Sequence, residues 1–239
     1  MREMDTPTKY KAVLFDKDGT LIDLAGPWMS TFAEWLKGLD SLRYEELAAV
    51  VGLDTTSQSI VPFSALAQGS FADVADILAE QVAYLTPEEI LNRLIQVANG
   101  SARDILPLNG TVEAIRQLHN SGYLLGIISN DCVEGIHFTV TELGLAPYIC
   151  YIAGSDSGYG PKPTAGMVTG FCLEHDIEPE RVVMVGDSPA DMQTAEMGSC
   201  GLSVGINPDV ENPTLRHYTP YILPDLSPLP ALLQQLEAE

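Results

Sequence analysis

The chain has 239 residues, enough to bury a sizeable core as one large domain or as a domain with an insertion. Its 33 acidic and 12 basic residues give a formal net charge of −21, which argues against nucleic acid or an anionic membrane surface as a partner. Apolar runs such as LLGII and VVMV are too short to cross a bilayer, and the N-terminal MREMDTPTKYK lacks an apolar secretory core, so a cytoplasmic protein with no membrane partner is expected. Cys132, Cys150, Cys172 and Cys200 are widely spaced with no CxxC pair, and read as reduced core thiols.

In chain order, the first element is KAVLFD (11–16), an apolar run that ends in a carboxylate. Residues 22–105 hold no convincing strand but four helical patterns, around 27–38, 42–53, 70–84 and 87–99. The last opens with TPEEI, where Thr86 is an N-cap, Pro87 starts the first turn and Glu89 can close a capping box. After this block come YLLGIIS (123–129), CYIAGSD (150–156), RVVMVGD (181–187) and GLSVGI (201–206), most of them separated by helical patterns. NGTVEAIRQLHNSG stops at Gly122 and DCVEGIHFTVTELG at Gly144. Short apolar runs alternating with helices predict a doubly wound α/β fold with a parallel sheet, whose chemistry collects at the carboxyl ends of the strands. The helical block then reads as an insertion, with LIDLAGP and ARDILPLNG as its hinges, and PDLSPLPALLQQLEAE as a loop and closing helix.

The strand ends are unusually polar. Asp16 and Asp18 stand two apart in FDKDGTLID, with Gly19 permitting a sharp turn and Thr20 following. Asp-Gly is a common turn pair, but two carboxylates this close repel, and a divalent cation with a preference for oxygen ligands resolves the repulsion. Asp187 and Asp191 in MVGDSPADM repeat the theme, and a parallel sheet can bring the two ends together. So much negative charge calls for a fixed cation as well as a metal. Lys162, in GSDSGYGPKPTAG, is that candidate: the other four lysines (Lys9, Lys11, Lys17, Lys37) lie in the first 37 residues, and its flanking prolines stiffen the loop. Ser129 and Asn130 in ISND offer a hydroxyl and amides suited to phosphate oxygens at a helix start, or simply an N-cap.

Together DKDGT, ISND, GPKP and GDSPAD resemble the haloacid dehalogenase-like (HAD) superfamily, and within it the phosphoglycolate phosphatase-like branch. The resemblance spans the chain. It implies a Rossmann-like core of residues 1–21 and 106–239 and an all-helical cap of residues 22–105. It implies Asp16 as the nucleophile that carries an aspartyl-phosphate, and Asp18 as the acid that protonates the leaving alkoxide and then the base that activates water. Mg²⁺ would be held by Asp16, Asp18 through its main-chain carbonyl, and Asp187, with Asp191 as a further ligand or a support behind the ligands. Ser129 and Asn130 would bind the phosphoryl oxygens and Lys162 would neutralise the phosphoryl group and Asp16. Members that cleave carbon–halogen bonds lack a carboxylate at the position of Asp18, so phosphate-ester cleavage is favoured.

Lys17 has two readings, a solvated side chain and a group touching substrate, and the first is the expectation. The four histidines read as surface or half-buried residues, and Trp28 and Trp35 as packing within the insertion. An anionic substrate tail would require Lys37, Arg43, Arg93 or Arg103, without a way to choose among them. The expected partner is a small phosphorylated metabolite, acted on by a monomer or homodimer. Competing functions are a sugar-phosphate mutase of the same fold and a non-hydrolytic phospho-aspartate switch. The switch would leave the helical insertion unexplained.

Overall fold

AVLF is buried at all four positions and forms β1 (Ala12–Phe15) in a computed structural model that describes residues 9–23, 27–56, 59–61, 64–101 and 105–238. Hinge residues 24–26 and 102–104, with Arg103 among them, and the side chain of Trp28 lie outside that description. The chain next builds α1 (Pro27–Leu39), α2 (Tyr44–Val51), α3 (Ala65–Gln68), α4 (Phe71–Gln81) and α5 (Pro87–Ser101). Between α2 and α3 lies an antiparallel pair, β2 (Leu53–Asp54) and β3 (Ser59–Ile60). The all-helical expectation for this stretch therefore needs one amendment, because strands of two residues carry no readable alternation. The helices close on a core of their own that includes Phe32, Leu36, Leu47, Leu78, Ile90 and Leu94. Trp35 packs against it. Thr86 and Glu89 form the expected capping box, with Thr86 N–H donating to Glu89 at 2.8 Å and Glu89 N–H to Thr86 Oγ1 at 3.3 Å.

The second half alternates α6 (Thr111–Asn120), β4 (Leu124–Ile128), α7 (Val133–Glu142), β5 (Tyr151–Ala153), α8 (Gly166–His175), β6 (Val182–Gly186), α9 (Pro189–Met197), β7 (Leu202–Ile206), α10 (Pro213–Arg216), β8 (Ile222–Leu223) and α11 (Leu229–Ala238). Gly122 and Gly144 follow α6 and α7 with φ of 88° and 65°, the left-handed stop that glycine adopts without a Cβ clash. Six strands form one parallel sheet in the order β5-β4-β1-β6-β7-β8. β8 is a sixth strand that sequence reading does not anticipate, again only two residues long.

Alternate residues of the central strands serve opposite faces. Val13, Phe15, Leu125, Ile127, Val183 and Val185 pack under Ile115, Leu118, Ile136, Leu229 and Leu233. Ala12, Leu14, Ile128, Val182 and Met184 pack on the other side against Met167, Val168 and Phe171. All four cysteines are free, but only Cys172 is buried; Cys150, just ahead of the edge strand β5, is exposed and corrects its reading as a core thiol. None of the described helices is long and apolar enough to cross a membrane.

The register positions the chemistry. Phe15 pairs with Ile127 on one side and Val185 on the other, so Asp16, Ser129 and Asp187 leave the sheet at one edge within two residues of the same level. Between outward-running β1-β4-β5 and the return through β6, this is the crevice where open α/β sheets bind ligands.

Candidate active site

Asp16 leaves β1 with its N–H bonded to the Val185 carbonyl at 2.8 Å, which ties the first strand end to the strand that carries Asp187. Asp16, Asp187 and Asp191 each bring a carboxylate oxygen within 4.8 Å of the others. Two glycines leave them room. A Cβ on Gly19, whose φ is +81°, would stand 2.3 Å from Asp187 Oδ2, and one on Gly186 2.3 Å from the Asp191 side chain.

Lys162 reaches this cluster from the loop after β5. Its Nζ donates to Asp16 Oδ1 and, at 2.5 Å, to Asp191 Oδ1, with 4% of the side chain exposed. Its backbone is held from both sides by Asn130, whose Oδ1 accepts from Lys162 N–H at 2.7 Å and whose Nδ2 donates to the Lys162 carbonyl at 3.2 Å. Sequence reading missed this clamp. Sequence reading offers the Asn130 backbone amide and side-chain donors to phosphate; in the folded chain the side-chain amide bonds the backbone of the lysine loop. Asp191 also has both oxygens engaged, because Oδ2 accepts from Ser188 N–H at 3.0 Å and from Ser188 Oγ at 2.6 Å, completing the capping box of α9. SPAD is itself a readable Ser-x-x-Asp cap signal that sequence reading leaves unused.

A second ammonium is buried beside the first. Lys17 Nζ lies 2.7 Å from Asp18 Oδ1 and 2.9 Å from Asp131 Oδ2. The expectation of a solvated Lys17 is thus corrected: its side chain is 8% exposed and spans the first and second strand ends. One lysine in a DxD turn gives no sign of its depth, and the Asp131 that draws it in lies far along the chain. Ser129 is buried, and its Oγ accepts from Asp131 N–H at 3.1 Å. Thr20 is buried as well, and its Oγ1 has no hydrogen-bond partner among the described residues.

Burial dominates the electrostatics. It pushes the Asp16 carboxyl up to about 7; Lys162 opposes that shift, and Asp191 and Asp18 reinforce it. The Asp187 carboxyl is pushed well above the usual range by burial, then by Asp16 and Asp191. Asp18 is also raised by burial, with Lys17 opposing and Asp131 adding; its side chain keeps 26% exposure, which softens the push. Burial alone would lower the two lysines, but their paired carboxylates more than offset it and hold both ammonium groups above the ordinary lysine value. Three close carboxylates, two of them paired with one ammonium, offer only oxygen and match the ligand set a hard divalent cation prefers.

A cleft of about 440 Å³ adjoins these loops. Ser64 and Gly69 of the helical insertion line one side, and Pro163, Pro189, Gln193 and Tyr218 line the other.

The fold and this strand-end constellation define an α/β protein with a helical insertion and an acidic site at the carboxyl ends of its strands. A sequence profile described as haloacid dehalogenase-like hydrolase matches residues 13–200, and the chain belongs to that family. Among curated proteins it is similar to a phosphoglycolate phosphatase of Vibrio vulnificus, 24% identical over 212 residues that cover 84% of this chain and 87% of the relative. Among solved structures it is similar to a predicted phosphoglycolate phosphatase of Haemophilus somnus, with a TM-score of 0.71 at 18% identity, covering 95% and 99% of the two chains. A Thermotoga maritima structure provisionally described as a β-phosphoglucomutase has a TM-score of 0.68 at 15% identity, covering 95% and 99%.

Proposed function

We propose that this protein is a Mg²⁺-dependent phosphatase that hydrolyses a small phosphate monoester through a phosphoryl group carried on Asp16. The observation that carries the reading is the convergence of Asp16, Asp187 and Asp191 within 4.8 Å, with the Lys162 ammonium between Asp16 and Asp191. Asp16, the Asp18 main-chain carbonyl and Asp187 would hold the metal, which when bound neutralises charge on the reacting phosphoryl oxygens. Asp191, with both oxygens hydrogen-bonded, supports the site from behind by fixing Lys162 and capping α9.

The chain's own groups then divide the reaction. An Asp16 oxygen attacks phosphorus, and the bond to the leaving oxygen breaks as that oxygen takes the proton of Asp18. Water next attacks the phosphorus and gives its proton to the Asp18 carboxylate, the bond to Asp16 breaks, and inorganic phosphate leaves. Lys162, oriented by Asn130, balances the negative charge carried by Asp16 and the phosphoryl group throughout. Ser129 stands at the adjoining strand end to receive a phosphoryl oxygen.

The core of residues 1–21 and 106–239 supplies this chemistry, and the cap of residues 22–105 encloses the leaving group. The curated relatives are named phosphoglycolate phosphatases, so phosphoglycolate and sugar phosphates lead the substrate panel. The test is phosphate release across that panel and an aryl phosphate, with Mg²⁺ and with EDTA, beside Asp16→Asn. Release that requires Mg²⁺ and disappears in the variant is expected. Release that persists in EDTA or in Asp16→Asn overturns the reading, and isomerisation with phosphate retained assigns the chain to the mutases.

A further inference from the structure

Among the described residues two lysines are buried, and the reaction above uses only Lys162. Lys17 remains to be explained. An ammonium taken out of water is costly unless it is paired, and its apolar replacement in a core is often neutral or stabilising, so burial for stability alone is a poor account of it. Lys17 is also badly suited to receive an anionic substrate tail. It already stands between two carboxylates, Asp18 at 2.7 Å and Asp131 at 2.9 Å, and the trio carries an excess of negative charge.

What the geometry does provide is a rigid chain of contacts ending on Asp18. Asp131 is seated from several directions. Its Oδ1 accepts from Cys132 N–H at 2.7 Å, its own N–H donates to Ser129 Oγ at 3.1 Å, and its carbonyl accepts from Ser155 N–H at 2.9 Å. Two glycines make way for it: a Cβ on Gly135 would stand 2.4 Å from Asp131 Oδ2, and one on Gly154 2.6 Å from the Asp131 carbonyl oxygen. Lys17 is fixed by this seat and in turn holds Oδ1 of Asp18. Asp18 keeps 26% of its side chain exposed, and the lysine contact restrains that otherwise open carboxyl.

We propose that Lys17 and Asp131 form a positioning pair that holds the Asp18 carboxyl in the orientation for proton transfer to the leaving-group oxygen. The pair couples the first strand end to the loop bearing Ser129, so the proton donor and the phosphoryl-binding loop are aligned by one contact. This rests on the reading of Asp18 as the acid and base of a phosphatase.

The experiment compares two substrates on the Mg²⁺-loaded full chain: p-nitrophenyl phosphate, whose phenolate departs without a proton, and an alkyl phosphate, whose alkoxide requires one. Lys17→Met and Asp131→Asn should lower kcat/KM on the alkyl phosphate by about 10- to 100-fold, since this parameter reports the steps up to departure of the leaving group. In kcat/KM on the aryl phosphate the same variants should lose less than about threefold, because the water attack that Asp18 also serves comes after the leaving group has departed. Lys17→Arg, which keeps the charge, should recover part of the alkyl activity. Equal losses on both substrates, or none, overturn the proposal. Should Lys17→Met fail to fold by circular dichroism, Asp131→Asn decides, since it keeps volume and an acceptor for Cys132 N–H. Wild-type enzyme silent on both substrates and across the metabolite panel overturns the phosphatase reading itself and this proposal with it; an active wild type with indifferent variants overturns the pair alone.

Discussion

The sheet edge and the helical cap use the same charged residues in opposite ways. At the edge, Lys17 and Lys162 are buried and each bridges two carboxylates, one from the DKD turn and one from a distant part of the chain, Asp131 or Asp191. In the cap, Lys37 pairs with Glu34 and Arg43 with Glu46, three residues along the chain and open to solvent. Arg43 adds a bond to the Gln81 carbonyl at 2.7 Å, and Arg93 acts on Glu89 four residues away. Pairs of the second kind are screened and exchange readily with water, whereas pairs of the first kind exist only once the sheet has formed. The difference separates charges that only the folded sheet brings together from charges that local helix spacing already pairs.

The strongest way to break this comparison is to remove the ammonium at the edge. Lys162→Met should lower kcat by about 10²–10³-fold on aryl and alkyl phosphates alike, because it acts on the phosphoryl group and not on the leaving oxygen. The metal-free variant should also lose about 3–5 kcal/mol of stability in denaturant unfolding, since Asp16 and Asp191 are left without their buried partner. A loss confined to one substrate would show that Lys162 does not serve the phosphoryl group.

The next prediction probes the cap core. Leu78 is fully buried there, and Leu78→Ala should cost about 2–5 kcal/mol by denaturant unfolding. Because the change is remote from the strand ends, kcat on the aryl phosphate in native buffer should stay within about twofold. A collapse of kcat in folded protein would mean that the cap core reaches the chemistry directly.

The edge should also declare itself through pH. Asp16 has a folded value of about 7 against an ordinary 3.8, and Asp187 and Asp18 are raised as well. A carboxyl raised on folding binds its proton more tightly in the native state, so its contribution is present below the unfolded value and is lost as pH rises through the folded one. In EDTA the melting temperature should therefore fall between about pH 4 and about pH 7, and Mg²⁺ should raise it most at the upper end. A Mg²⁺ effect independent of pH would contradict the carboxylate cluster as its site. The smallest effect belongs to the cap surface, where Lys37→Ala should leave the melting temperature within the scatter of replicate scans.

The limits of sequence reading follow the same division. AVLF, LLGII and VVMVG are legible as buried parallel strands because none carries a polar side chain, and the helices between them show caps and glycine stops. β2, β3 and β8 escape because two residues hold no period. In the site, Asp16, Asp187 and Asp191 are legible from spacing at strand ends, and Lys162 from its isolation between prolines. Lys17, Asp131 and the Asn130 clamp are not, because each depends on a partner 32 or more residues away that only the folded register brings near. The cap cleft is unreadable for a similar reason: Ser64 and Gly69 gain meaning only opposite Gln193 and Tyr218.

The most direct test of the account is to quench the Mg²⁺-loaded enzyme during turnover and map phosphorylation by peptide mass spectrometry. The account predicts a phosphoryl group on the peptide carrying Asp16, present while substrate lasts, lost when it is exhausted, and absent in Asp16→Asn. Turnover with no phosphoryl group at Asp16, or with one on another residue, would contradict it.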